Sequence, residues 1–450
     1  MAGEVGGAAP GTPRVLRAMN DRAALELMLE HGPLSRARIG TLTGLSKPTA
    51  SQLLARLEAA GLVIVTGTSE GRPGPGAQLY GVNPRAAYAA GLDVNPRRVL
   101  ATVADLTGRV VGEFALPVPR RGRPGAVRQV TDALDGAVRG AGLARQDVHR
   151  VVIGTPGAFD PSTGRLRYAS HLPGWHGAGL LEELAAALPM PVEYENDVNL
   201  VAVAEQRLGA AAGYRDFVLL WSEEGLGAAL VLGGRLHRGF TGGAGEVGFM
   251  PVPGAPLVRN VAKAGSGGFQ ELAGARVLPA LARELGLDVP ACGSPEAAVR
   301  LLRAAAAEED GAVAGGEDTG GAYGRGEGGG PYGRGGHVGS YGRGGHVGPY
   351  GRGEDAGGYG RLLDSYATGL ATGLAALVAV LDPQLVVLSG DVALAGGEPL
   401  RRRVAAELAE LAAARPRLAL GAVRERPVLR GALEAALAAT RDDVFDTLAR

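Results

Sequence analysis

One cysteine, Cys292, is all the thiol chemistry in this 450-residue chain. That excludes an internal disulfide framework and any metal site needing several thiolates. It is in keeping with a reducing compartment, the cytoplasm. An excess of charge of either sign is missing too: 46 basic and 46 acidic side chains cancel. No global field advertises a polyanion partner, so any nucleic-acid contact must come from a local patch. No segment holds about eighteen uninterrupted apolar residues, which argues against a membrane span. The opening MAGEVGGAAPGTPRVLRAMN has no apolar run of signal-peptide character. What is present is a chain that is 46% apolar, long enough for two or three domains and a sizeable core.

Residues 14–85 differ in style from the rest. NDRAALELMLEHGPL carries Ala24, Leu25, Leu27 and Met28 near helical spacing, with Asn20 as a candidate cap and Gly32-Pro33 as a stop. Ser35 can cap a short helix bearing Ile39 and Leu42, which Gly44 breaks. Ser46 can cap a second helix with Pro48 in its first turn, where a missing N–H does no harm. That helix buries Leu53, Leu54 and Leu57 and ends at Gly61. Helix, glycine-containing turn and helix make a helix-turn-helix. Ser46, Lys47, Thr49, Ser51 and Gln52, with Arg56 further along, are of the types that reach base edges and phosphates from a recognition helix. LVIVTGTSEGRPGPGAQLYGVNP then reads as a hairpin whose tip, with Arg72, would lie against the DNA backbone as a wing. Bases outnumber acids modestly over residues 1–85, which suits a DNA module. A helical protein-interaction cap is the competing reading.

From residue 86 short β-runs alternate with helical stretches, the mark of an α/β domain. AAGLDVNPRRVLATVADLTGRVVGEFALPV reads as three strands turning at Asn95-Pro96 and Thr107-Gly108. Val151–Ile153 is a buried strand entering a Gly-Pro-Gly-type loop, DFVLLWSEEGLGAALVLGG repeats the strand–turn–strand design, and LDPQLVVLSGDVAL places a buried strand before a Ser-Gly turn. The repetition predicts a duplicated, two-lobed fold with a ligand cleft between the lobes.

HLPGWHGAGLLEEL, ENDVN at 195–199, GGRLHRGFTGGAGEVGF at 233–249 and LDPQLVVLSGDV at 381–392 together resemble the ROK family (repressor, open reading frame, kinase). The resemblance implies an α/β, two-lobed actin-like sugar-kinase ATPase fold over residues 86–450, behind the winged helix-turn-helix at 14–85. In the kinases of that family a glycine-bearing loop after the first strand approaches the ATP phosphates through backbone N–H groups. The matching turn here is Asp93-Val94-Asn95-Pro96-Arg97-Arg98, where Pro96 removes a donor. The second phosphate loop corresponds to SEEGLGAA, where Glu223 and Glu224 would repel a triphosphate. Phosphoryl transfer rests on positioning and charge stabilisation, so no enzyme activity is expected.

Asp197 then stands at the position of the kinase base as a retained acceptor for a sugar hydroxyl, with Asn196 beside it. The competing reading of Asp197 is a helix cap. The resemblance makes Glu246 a sugar ligand as well, against a plain loop carboxylate, and His171 a sugar-side residue, against a structural histidine. The family's zinc site is not carried over: Phe249 stands where a histidine belongs, and the following loop has no cysteine. Gln270, in place of the family's glutamate there, can still donate to and accept from a sugar. Without zinc, packing of Phe249 and Phe269 is the alternative support for that loop.

Residues 307–360 hold repeats of YGRGGHVG with few apolar residues, composition that predicts a disordered insertion. LLDSYATGLATGLAALVAVLDP is apolar on most of its circumference and is expected as a buried helix of the second lobe. The expected whole is a repressor without cofactor or metal, its partners operator DNA, a sugar effector and a second copy of itself. Two alternatives stay open: an active sugar kinase with a fused DNA-binding head, and a repressor that answers to no ligand.

Overall fold

The computed structural model describes residues 13–69, 76–119, 121, 123–160, 165–167, 172, 174, 175, 177, 179–259, 267–316 and 357–446. The first unit is built from α1 (Pro13–His31), β1 (Leu34–Ser35), α2 (Arg36–Thr43), α3 (Lys47–Ala59), β2 (Val63–Thr68) and β3 (Gln78–Val82). Asn20 does not cap α1, because the helix already begins at Pro13, a residue that loses nothing in a first turn. The other stops follow local chemistry. The Ser35 hydroxyl accepts from Arg38 N at 3.3 Å and the Ser46 hydroxyl from Thr49 N at 3.4 Å. Between the two caps Gly44 takes φ 71°, a left-handed turn that a side chain would strain. The strands form one antiparallel sheet in the order β1-β3-β2. The unit is a winged helix-turn-helix, although the wing tip at 70–75, with Arg72, lies outside the described residues. Leu25, Met28, Ile39, Leu53, Leu54 and Leu57 form its core, which is completed by Leu106 and Phe445 from far along the chain.

The first lobe follows: β4 (Tyr88–Val94), β5 (Arg98–Asp105), β6 (Val110–Pro117), α4 (Ala126–Gly140), β7 (Val148–Thr155), β8 (Ala158–Asp160), β9 (Arg165–Arg167), α5 (Leu180–Ala187), β10 (Val192–Asn196) and α6 (Asp197–Leu208). The second comprises β11 (Phe217–Ser222), β12 (Leu226–Leu232), β13 (Arg235–Leu236), α7 (Phe269–Ala273), α8 (Val277–Glu284), α9 (Ser294–Gly316), α10 (Gly358–Leu381), β14 (Leu385–Ser389), α11 (Asp391–Leu411) and β15 (Arg417–Leu420). Helix α12 (Pro427–Asp446) closes the described chain. The two five-stranded sheets share one plan. β10-β7-β4-β5-β6 and β13-β12-β11-β14-β15 each combine an antiparallel hairpin partner with two strands running parallel to the first. The duplicated, two-lobed α/β fold is therefore real.

Alternation along β4 shows how each sheet is covered. Ala90 and Leu92 pack toward α4, while Ala89 packs toward α12. Helix α6 is shared between the lobes. Its Leu200 joins the cluster beneath α12, and its Val198, Val201 and Ala202 pack on β11, β12 and β14 of the second sheet. Helix α10 has the length and mean hydropathy of a membrane span, yet half of its apolar window is buried in the fold. Leu362, Leu363, Tyr366, Leu370 and Leu374 line the second-lobe core, where Phe269 is fully buried beside them. The insertion expected over 307–360 is narrower than the composition implied. Alanine-rich sequence carries α9 on to Gly316, and α10 begins at Gly358. Glu309 near the end of α9 is held by Arg402 at 3.1 Å and by Arg403. Residues 317–356, with the repeats, lie outside the described residues.

Candidate functional site

Parallel strands deliver their C-terminal ends to one edge of a sheet, and in α/β folds that edge is where ligands sit. In the first lobe the register places Asp93 beside Gly154 and Asn196 beside Thr155 along this edge. Asp197 opens α6 immediately after. The Asn196 carboxamide is the cap of that helix: its oxygen accepts from Asn199 N at 3.1 Å, and its amide nitrogen donates to Gly157 O at 3.1 Å. Both ends of Asn196 thus serve the loop, and the helix cap is Asn196 rather than Asp197. One Asp197 oxygen accepts from Val198 N at 2.9 Å.

Carboxylates gather here. Burial pushes Asp197 up to about 7, and the nearby charges of Asp93 and Glu246 add to it. Asp93 is pushed up to about 6 by burial, which Arg98 partly opposes. Glu223, at the β11–β12 turn, is pushed up to about 7 by burial and then by Asp391, Asp197 and Asp93. Burial raises Glu246 as well. The charges of Asp93 and Glu246 act on Asp197, and those of Asp391, Asp197 and Asp93 act on Glu223, which sets these carboxylates of the two lobes near one another. Glu224 is exposed, so of the two glutamates expected to oppose a triphosphate Glu223 is the one that lies, half-buried, among these acids.

Several backbone donors of the two turns that would face a phosphate are engaged by the protein itself. In the β4–β5 turn the Asn95 side-chain oxygen accepts from Arg97 N and Arg98 N, both at 3.1 Å. In the β11–β12 turn Glu223 N donates to Gly225 O at 3.1 Å, and Leu226 N donates to the Gln270 side-chain oxygen at 3.4 Å. Gln270 is therefore not simply a sugar-facing residue, since its carbonyl oxygen pins this turn. Nor do the residues present fit the family's zinc: Phe249 is partly buried in the histidine position, and Cys292 is exposed in the connection from α8 to α9. Among the described residues no group of three or more His, Cys, Asp or Glu could hold a metal.

Two cleft residues escaped the sequence reading. Buried Glu195 accepts from Asn196 N at 2.9 Å and Asn199 Nδ2 at 2.8 Å, and its other oxygen pairs with Arg238 Nε at 2.6 Å. Arg238 follows β13, so this ion pair crosses from the first lobe to the loop of the second that carries Glu246. Its carbonyl accepts from Ala244 N at 3.1 Å, which closes that loop. The acidic half of the pair was visible inside ENDVN. Nothing in the spacing pointed to Arg238. His171 lies outside the described residues.

On the winged helix, Ser46, Lys47, Thr49 and Gln52 are exposed at the start of α3, and Ser51 is half-buried. The Ser46 and Thr49 hydroxyls lie 2.8 Å apart, and the Ser51 hydroxyl donates to Lys47 O at 2.9 Å while accepting from Arg36 at 3.2 Å. Arg56, expected among the DNA contacts, is partly exposed and bonded to buried Asp21 of α1 at 2.6 Å. A buried carboxylate needs such a partner, so Arg56 ties α3 to α1.

A model of the ROK family matches residues 89–272, and a model of the MarR family matches residues 20–72. The chain is 25% identical over 243 residues to a putative xylose repressor of Caldicellulosiruptor sp. (strain Rt8B.4), covering 54% of this chain and 61% of that one. It is 24% identical over 244 residues to the DNA-binding transcriptional dual regulator NagC of Escherichia coli (strain K12), covering 54% and 59%. The chain thus spans about three fifths of the length of these relatives. Among solved structures, a ROK family transcriptional regulator described as a homolog of the E. coli MLC protein superposes with TM-score 0.65 at 16% identity, over 96% of this chain and 99% of that one. A ROK hexokinase from Thermus thermophilus gives TM-score 0.56 at 25% identity, over 79% and 99%.

Proposed function

We propose that this chain, which carries a ROK family domain behind a MarR-type winged helix, is a sugar-responsive, DNA-binding transcriptional repressor without phosphoryl-transfer activity. The observation that carries the reading is the state of the two phosphate loops. Their N–H groups at Arg97, Arg98, Glu223 and Leu226 are taken up by the protein's own acceptors, and Glu223 stands among the cleft acids. Placing a triphosphate there would break those bonds and set like charges together in a poorly solvated cleft. The names of the two curated relatives, both regulators, point the same way.

In this reading Asp197 and Glu246 accept sugar hydroxyls, Asn196 and Gln270 shape the pocket around them, and His171 contributes from the sugar side. Ser46, Lys47, Thr49, Ser51 and Gln52 face the major groove, and Arg72 in the wing faces the backbone. Two copies of the chain present two recognition helices to an inverted repeat. The setting is the cytoplasm. A sugar changes DNA affinity only by binding one lobe arrangement better than another.

The test is capture of genomic DNA fragments by the purified protein, with and without pooled unphosphorylated sugars. Discrete inverted-repeat sites whose occupancy changes with one pool are expected. Recovery of no preferred sequence would sink the DNA-binding reading.

A further inference from the structure

Helix α12 packs both on the elements that carry the cleft acids and against the winged helix. Its first half approaches the cleft elements backbone to backbone. Gly431 lies so close to the Leu200 carbonyl of α6 that an added Cβ would collide with it, and Gly91 of β4 meets Leu433 in the same way. Leu200 lies on the helix that opens with Asp197, and Gly91 on the strand that carries Asp93. A further tie comes from Glu205 at the far end of α6. Fully buried, it accepts from Ala210 N at 2.7 Å, Ala422 N at 3.1 Å and Val423 N at 2.9 Å, fixing the segment that leads into α12. At Gly431 the two helices meet backbone to backbone, with no side chain between them to absorb a shift of α6.

The second half of α12 holds the winged helix. Phe445 is 3% exposed in the core of that unit, among residues that include Leu25 and Met28 of α1. Arg22 of α1 pairs with Asp442 and reaches Asp446 at 3.5 Å. Arg441 donates to Leu106 O at 3.1 Å, fixing the same end to the β5–β6 turn. Arg150, on β7, pairs with both Asp443 and Glu193. A helix of 20 residues is a rod about 30 Å long, and one held this tightly at both ends moves as a unit.

We propose that α12 is the relay through which occupation of the cleft reaches the DNA-binding head, with the Arg22–Asp442/Asp446 clamp as its coupling to α1. This rests on the sugar-sensor reading above. A sugar on Asp197 that favours one lobe arrangement shifts α6, α6 carries α12, and the clamp carries α1 and the recognition helix behind it. Asp442 and Asp446 are positioning residues in this scheme: their side chains are 56% and 69% exposed, and they touch neither cleft nor base edge.

The experiment uses the full chain, a duplex it selects from a random library, and a panel of unphosphorylated aldoses that includes D-xylose and N-acetylglucosamine. DNA affinity and thermal midpoint are read with and without sugar. For the wild type one sugar is expected to raise the midpoint and change DNA affinity by about fivefold or more. In the Asp442→Asn, Asp446→Asn double variant the same sugar still raises the midpoint, sugar-free DNA affinity stays within about twofold of wild type, and the response of DNA affinity is lost. Arg22→Lys, which keeps an ion pair, retains part of that response. A double variant that responds fully overturns the relay, as does a wild type that is stabilised by sugar without any change in DNA affinity. A wild type stabilised by no sugar removes the sensor reading, and the relay falls with it.

Discussion

A carboxylate raised to about 7 inside a cleft of other carboxylates, as Asp197 is, changes how the protein depends on pH. Its ordinary value is 3.8, so between about pH 4 and pH 7 the folded chain holds a proton at this site that the unfolded chain has released. Stability from this group is therefore full at low pH, falls as pH rises through about 7, and is level above that. Replacing Asp197 by Asn removes the charge and keeps an oxygen for the Val198 N–H. Asp197→Asn is expected to stabilise the sugar-free protein by about 1–2 kcal/mol at pH 8, discounted for its partial exposure, and to have almost no effect near pH 4. Thermal midpoints at the two pH values check this; an equal gain at both would show that charge is not the cause. Asp197 and Glu246 were legible because they sit in recognisable strings. Glu195 paired with Arg238 was not, since 43 residues separate the partners and only the fold brings them together.

At the scale of elements, local chemistry set most boundaries. Ser35 and Ser46 cap α2 and α3 through the backbone N–H groups that their positions imply, and Asn95-Pro96 turns β4 into β5. The miss at Asn20 has a local reason: Asn is a good cap only where a helix must start, and the residues from Pro13 onward already form one. The ends of α9 and α10 were misplaced because composition marks where a core is impossible but not where an exposed helix stops. The tight contact of α12 on α6 makes a sharper claim. Gly431 is a poor helix former, and alanine there gains about 1 kcal/mol of propensity. Yet the new Cβ meets Leu200 backbone on α6, which cannot rotate away. Overpacking of this kind costs about 1–3 kcal/mol, so Gly431→Ala is expected to lower the midpoint of denaturant unfolding. An unchanged or higher midpoint would mean that the helices separate freely.

For the whole molecule, two lobes of one plan meet at the acidic strand ends, where Arg97 N, Arg98 N, Glu223 N and Leu226 N are already bonded within the protein. ATP consumption in the presence of a hexose panel is expected to stay at the level of the protein-free control. Glu223→Gly is expected to leave it there, because it frees neither Arg97 N and Arg98 N from Asn95 nor Leu226 N from Gln270. Sugar-dependent turnover by the wild-type chain would instead establish the kinase alternative.

By itself the amino-acid sequence determined the order of the parts: a helix-turn-helix with its hairpin, then two copies of one strand pattern, with acids at the strand ends. Local patterning and caps depend on neighbours a few residues away, so a reader of the chain can find them. The tertiary structure decided which groups share an environment. It bonded Arg56 to Asp21, turned Glu223 toward the other acids and left Glu224 in solvent. It also brought Phe445, near the end of the described chain, into the core of the first unit. Those outcomes depend on burial and on pairing across long stretches of chain, which no local pattern encodes.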